Sequence, residues 1–139
     1  MAVKAKELRY AVGLSTTGEL TEENGIALGT PPEWSPEHLL LAALIRCSLK
    51  SLRHHARRSD VEVRSASGGG RTLVTRRESD GRYAMVETDL DLVVELEPEP
   101  GSAALTGLLA LAERDCFIGS SLTAEPTYRW TVNGRSTAQ

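Results

Sequence analysis

The sequence predicts an α+β fold in which antiparallel strand meanders flank a long buried central helix and a second, shorter helix. Three observations carry this. Strand-like stretches with period-two alternation come in turn-connected runs rather than one-for-one with helices. Two segments instead repeat apolar residues every three or four positions. The chain has 139 residues, 40% of them apolar and 25% charged, which suits a single domain, 1–139, with a core of its own. Aromatics are only 4%, so that core is built from Leu, Val and Ala.

The N-terminal strands occupy 1–33. Glu7 to Leu14 alternates, with Leu8, Tyr10, Val12 and Leu14 on one side of a half-buried strand. Thr17-Gly18 marks a turn, a polar stretch recovers at Ile26 to Leu28, and Pro31-Pro32 ends the run.

The central helix spans 35–58. Ser35 suits the cap, Pro36 the first helical position, and Glu37 the positive end of the dipole. Leu40, Leu41, Leu44, Ile45, Leu49 and Leu52 follow at helical spacing. Leu39 to Ile45 is apolar nearly all round and is expected to be buried. Lys50 to Arg58 is polar and basic, and is expected to project into solvent before Ser59-Asp60 closes the helix.

A second meander covers 61–96. Val61 to Ser67 alternates, Gly68-Gly69-Gly70 reads as a loop, and Arg71 to Arg77 as a short strand. Ser79-Asp80-Gly81 forms a tight turn. In the long stretch Arg82 to Leu96, Met85, Leu90, Leu92, Val94 and Leu96 face one way. Glu97-Pro98-Glu99-Pro100-Gly101 breaks the run. The second helix and its following turn fill 102–122, with Ala103 to Cys116 helical and Phe117 to Leu122 a turn or short helix. A last strand covers 126–132, and Asn133 to Gln139 is expected to fray.

Composition narrows the function. Net charge is −3, so no global field favours nucleic acid. The longest apolar run, Leu39 to Ile45, is far too short to span a membrane. No basic, then apolar, leader opens the sequence, and the expected location is cytoplasmic. Arg46 to Arg77 holds nine basic and two acidic residues, and Glu78 to Glu99 eight acidic and one basic. That asymmetry makes either a basic face or acidic strands that pair with basic ones across the sheet. Adjacent His54 and His55 do not converge on one metal, and no second cluster completes a tetrahedron. They read as a solvated helix end. Gly68-Gly69-Gly70 precedes neither a lysine nor a helix start, so it is no phosphate cradle.

Two cysteines remain, Cys47 and Cys116, 69 positions apart. They are either two buried small hydrophobes or a redox pair, and bonding requires Cα atoms within about 7 Å. Arg46 neighbours Cys47, but successive helical residues point about 100° apart.

The segment Trp34-Ser35-Pro36-Glu37-His38-Leu39-Leu40-Leu41-Ala42-Ala43-Leu44-Ile45-Arg46-Cys47 resembles the central-helix signature of the OsmC/Ohr superfamily, the osmotically inducible and organic-hydroperoxide-resistance proteins. Ala112-Glu113-Arg114-Asp115-Cys116-Phe117-Ile118-Gly119-Ser120-Ser121-Leu122 is similar to that family's second cysteine motif. Element order and motif spacing agree over nearly the whole chain. The resemblance implies an intertwined homodimer with the central helices at its core and two sites at the interface. It implies a peroxidatic Cys47 and a resolving Cys116, reduction of organic hydroperoxides in oxidative-stress defence, and no bound cofactor or metal. An external dithiol, lipoyl-type or carried by a lipoylated protein, or a small thiol, would restore the pair.

Glu37 matches the family's carboxylate ten residues before the reactive cysteine. Ten helical residues span about 15 Å, so Glu37 and Cys47 of one chain do not touch. Sharing a site requires antiparallel helices across a two-fold axis. Peroxidatic members also carry an arginine near the first hairpin turn, where Ser15-Thr16-Thr17-Gly18-Glu19 has none. Lys4, Lys6 and Arg9 are the only early cations. Arg9, read within the first strand, and Arg46 across the dimer axis are the candidate activating cations. Phe117 stands where a proline often follows the cysteine. Leu40 and Leu44 are candidates to receive an alkyl tail, and Phe117 with Trp34 of the partner chain to line the pocket mouth. The alternative is a non-catalytic dimer of the same fold that binds a small apolar ligand and lacks the activating arginine.

Overall fold

The fold was derived from a computed structural model that describes residues 5–29 and 31–137. Lys4 lies outside them. The chain divides into two compact units, one ending at Ser35 and the other beginning at Pro36.

The first unit is a three-stranded antiparallel sheet in the order β1 (Val12–Leu14), β2 (Leu20–Glu22), β3 (Ala27–Leu28). Leu14 pairs with Leu20, and Leu20 with Leu28. The first turn closes through Ser15 N–H to Glu19 O, with Gly18 at φ +86°. At the second, the Glu22 carboxylate accepts from Asn24 N and Ile26 N. The donated Ile26 N–H is the main reason that the Glu22 carboxyl lies below its ordinary pKa. The expected strand from Glu7 shortens to Val12–Leu14, because pairing with β2 stops at Val12 opposite Glu22. Arg9 therefore precedes the strand. Leu8, Tyr10, Val12 and Leu14 are exposed, not half-buried. Strands of three, three and two residues carry no second layer of their own.

The second unit holds α1 (Pro36–Arg58), β4 (Glu62–Arg76), β5 (Tyr83–Glu97), α2 (Ser102–Arg114), α3 (Phe117–Ser120), β6 (Thr127–Val132) and β7 (Arg135–Ser136). Helix α1 ends with Asp60 left-handed at φ +56° and with Val61 N–H reaching back to Ala56 O, a Schellman closure. The sheet order is β4-β5-β6-β7. Its pairs are antiparallel except β5–β6, which is parallel. The expected all-antiparallel pairing fails at this one place because α2 and α3 intervene, and a crossover through a helix returns the chain in the same direction.

Two further expectations change. Gly68-Gly69-Gly70 is the middle of β4, not a loop, and pairs with Leu92, Asp91 and Leu90. The glycines answer a close approach: a Cβ on Gly68 would stand 2.3 Å from Asp91 O, and one on Gly70 2.7 Å from a Leu90 methyl. Met85 lines a cleft with the buried Thr88 despite odd spacing, and the register shifts where Leu73 pairs with Glu87 and Val74 with Met85. That leaves Val86 as the extra residue of a bulge. Residues 133–136 form a hairpin where fraying was expected, and Ala138 and Gln139 lie outside the described residues. Asn133 at φ +51° and Gly134 at φ +79° make the tight turn that Asn-Gly favours. The Asn133 amide also exchanges hydrogen bonds with the Leu96 backbone, at 2.8 and 3.1 Å.

The core joins Leu90, Leu92, Val94 and Leu96 of β5 to Tyr128, Trp130 and Val132 of β6. Leu44, Leu49, Leu52 and Ala56 of α1 and Leu108, Leu109 and Ala112 of α2 close it. On α1 the buried residues are Leu44, Ser48, Leu49, Ser51, Leu52 and Ala56. The burial expected for Leu39 to Ile45 is thus confined to Leu44 in the single chain, and the supposedly solvated second half is buried on one side. The four-residue stripe Leu44, Ser48, Leu52, Ala56 runs along one face of the helix. Charges pair across the outer sheet face, as Arg71 does with Asp91 at 2.8 Å. Among the described residues no helix is long and apolar enough to cross a membrane.

Candidate redox site

Cys116 follows α2 and caps the short helix α3, with its side chain accepting from Gly119 N at 3.4 Å. It is fully buried. The helix α3 begins at the next residue. Cys47 is half-buried on α1, and its Sγ accepts from Ile118 N at 3.5 Å. Successive amides of α3 thus serve the two sulfurs. Both cysteines are free thiols and act on one another electrostatically.

Burial is the largest influence on Cys47 and pushes its thiol above the ordinary cysteine pKa. The Ile118 N–H opposes this, while Cys116 adds to it. Among the described residues no cation belongs to the groups that perturb it.

A hydroxyl network supports Cys116 from behind. Ser48, one residue after Cys47 and fully buried, lies 2.8 Å from Leu44 O, 2.9 Å from the Tyr128 hydroxyl and 3.5 Å from Cys116 Sγ. Tyr128 stacks on Trp130 at 5.9 Å between centroids, and burial pushes its phenol well above the ordinary value. Trp130 Nε1 donates to the Glu113 carboxylate at 2.9 Å. Beside Cys116, Asp115 accepts from Arg114 and hydrogen-bonds His55 Nε2 at 2.7 Å. The Arg114 guanidinium is the main cause of its carboxyl lying below the ordinary range, with His55 secondary. His55 is therefore a tether between α1 and the Cys116 segment, not part of a solvated helix end.

Of the residues singled out in the sequence, Cys47 and Cys116 come together. Glu37 is exposed in the first turn of α1, ten residues from Cys47. Arg46 is exposed, and Arg9, in the first unit, pairs with Glu7 at 3.0 Å. Leu44 is core, Leu40 is half-buried, Phe117 is exposed at the start of α3, and Trp34 is exposed in the first unit. Two clefts lie elsewhere in the second unit: one of about 450 Å³ lined by Arg53, Arg57, Val61 and Glu97, the other of about 250 Å³ lined by Met85, Thr88 and Leu122. No metal-holding group of acidic, histidine or cysteine residues occurs among the described residues. Ser48 and Tyr128 were not foreseen. A serine on the buried face of an otherwise leucine-rich helix was the available signal, since a buried hydroxyl needs a partner.

A model of the family described as OsmC-like protein matches residues 29–131. Among solved structures, an OsmC-like protein of unknown function from Vibrio cholerae superposes with a TM-score of 0.71 at 18% identity, covering 91% of this chain and 99% of that one. An organic hydroperoxide resistance protein from Elizabethkingia anophelis gives 0.64 at 14% identity, covering 93% and 98%. The organic hydroperoxide resistance protein OhrB of Bacillus subtilis gives 0.55 at 18% identity, covering 90% and 96%. At such identities the likeness is one of fold. No curated protein sequence matches.

Proposed function

The chain belongs to the OsmC-like protein family, and on that premise we propose that it is a cysteine-based hydroperoxide reductase acting in oxidative-stress defence. The observation that carries this reading is the meeting of Cys47 and Cys116 on successive amides of α3, since two thiols so placed need little movement to join. The Cys47 thiolate attacks the terminal peroxide oxygen, the O–O bond breaks, and an alcohol leaves with a proton. Cys47 is then a sulfenic acid. Cys116 sulfur attacks it, the S–S bond forms, and the hydroxyl leaves as water with the proton from Cys116. An external dithiol of lipoyl type, free or on a lipoylated protein, or a small thiol, returns both cysteines to thiols.

Organic hydroperoxides are the proposed substrates, supported by the names of two structural neighbours and by the apolar Leu40 beside the reactive stretch of α1. The working unit is a homodimer in the cytoplasm. Leu8, Tyr10, Val12, Leu14, Ile26 and Leu28 are all more than half exposed in the single chain, an apolar face of the sort that a partner covers. Antiparallel α1 helices across a two-fold would bring one chain's Glu37 toward the other's Cys47, and Arg9 is the proposed cation there, because the same register sets Arg46 opposite His38 rather than Cys47. Phe117 and the partner's Trp34 would flank the opening.

One observation favours a second reading. Burial raises the Cys47 pKa, the opposite of what a peroxidatic thiol needs. Without a cation from a second copy the protein would be a non-catalytic dimer that binds a small apolar ligand. Consumption of cumene hydroperoxide with dihydrolipoamide as reductant separates the two. The reductase consumes peroxide well above the rate of the dithiol alone, and Cys47→Ser abolishes the excess. A wild-type rate equal to the dithiol alone leaves the binding module.

A further inference from the structure

Ser48 has one hydrogen and two acceptors for it, Leu44 O at 2.8 Å and Cys116 Sγ at 3.5 Å. Its oxygen stands 2.9 Å from the Tyr128 hydroxyl. Leu44 O or Cys116 Sγ takes that single serine hydrogen, so the Tyr128 contact is closed by the phenol O–H donating to Ser48 Oγ. A thiol sulfur is a weak acceptor, and a carbonyl oxygen wins against it. A thiolate is a charged acceptor, and charge-assisted hydrogen bonds are about twice as strong as neutral ones. Ser48 and Cys116 are both fully buried, so water does not compete.

We propose that Ser48 is a positioning residue for Cys116: its hydroxyl holds Leu44 O while Cys116 is a thiol, and turns to Cys116 Sγ as that sulfur gives up its proton and closes on Cys47. The Tyr128 O–H polarises the Ser48 hydroxyl and strengthens its donation. Gly119 N, already 3.4 Å from the sulfur, supplies a second fixed donor. This inference rests on the reading of Cys116 as the sulfur that closes on Cys47, and extends it to a residue outside both cysteine positions.

The test isolates the second step. One equivalent of methyl methanethiosulfonate caps the Cys47 thiolate as a methyl disulfide, releasing methanesulfinate. Cys116 thiolate then attacks Cys47 Sγ and expels methanethiolate, leaving the internal disulfide. Intact mass follows both steps, and Cys116→Ser holds the adduct as the reference. Loss of one hydrogen bond to a developing charge slows resolution about tenfold in Ser48→Ala. Ser48→Thr restores the rate. Tyr128→Phe, which keeps the ring on Trp130, slows it less, by about two- to threefold.

Resolution in Ser48→Ala at the wild-type rate, or slow resolution that Ser48→Thr fails to restore while Tyr128→Phe is unchanged, overturns the role. So does a wild-type adduct that never resolves. The same proteins given hydroperoxide report separately: an adduct that resolves with Ser48 dependence while peroxide leaves no sulfenic acid ends the peroxidase reading and keeps the positioning role.

Discussion

Cys47 sets the terms at the residue scale, because burial acts on it against the chemistry proposed for it. A raised pKa means less thiolate at any given pH. If the single chain were the whole site, alkylation of Cys47 by iodoacetamide at pH 7 would be slower than that of free cysteine, and its rise would be displaced to higher pH. A cation supplied by a second copy reverses both signs. We predict the reversed profile, which fades in Arg9→Ala and persists in Arg46→Ala. Glu113 offers a structural counterpart. Its carboxyl is raised by burial and receives the Trp130 indole N–H. Trp130→Phe leaves that acceptor half-buried without its donor and costs about 1–3 kcal/mol in chemical denaturation.

Legibility in the sequence also divides by residue. Cys47 and Cys116 were singled out by the family-like segments around them, and geometry brings them together. Ser48 and Tyr128 carried no motif, because a hydroxyl network exists only once α1 and β6 are packed. The roles proposed for Glu37 and Arg9 rest on a partner chain, which no reading of one chain supplies.

Elements were legible where local chemistry decided them. The start of α1 at Pro36 follows from the capping residues, and its end follows from Ser59-Asp60. The strand β4 was missed as one element because its three central glycines look like a loop. Gly68 and Gly70 are instead spaces cleared for β5. This gives a discriminating pair. Gly68→Ala drives a methyl into Asp91 O and destabilises by about 1–3 kcal/mol. Gly69→Ala, where a Cβ meets nothing within 4 Å, leaves the thermal midpoint nearly unchanged. The parallel β5–β6 pair was illegible for another reason. A strand's direction in the sheet is set by the crossover through α2 and α3, not by its own residues.

At the scale of the whole molecule, we propose that a second copy of the chain covers the exposed apolar residues of the N-terminal sheet and the half-buried Leu39, Leu40 and Leu41 of α1. Sedimentation equilibrium is expected to give a dimer at micromolar concentration, and Leu14→Glu with Leu28→Glu to shift it toward monomer. The same variants should slow peroxide consumption, since the proposed site is completed across the two-fold. Monomers that retain full activity would place the cation and carboxylate within one chain.

The central claim, that Cys47 and Cys116 form a peroxide-driven redox pair, is tested most directly by intact mass after one equivalent of cumene hydroperoxide. The prereduced protein should lose two hydrogens, with a trappable sulfenic acid on Cys47 in Cys116→Ser and no change in Cys47→Ser. A wild-type protein that stays fully reduced while a free dithiol control is oxidised contradicts the claim.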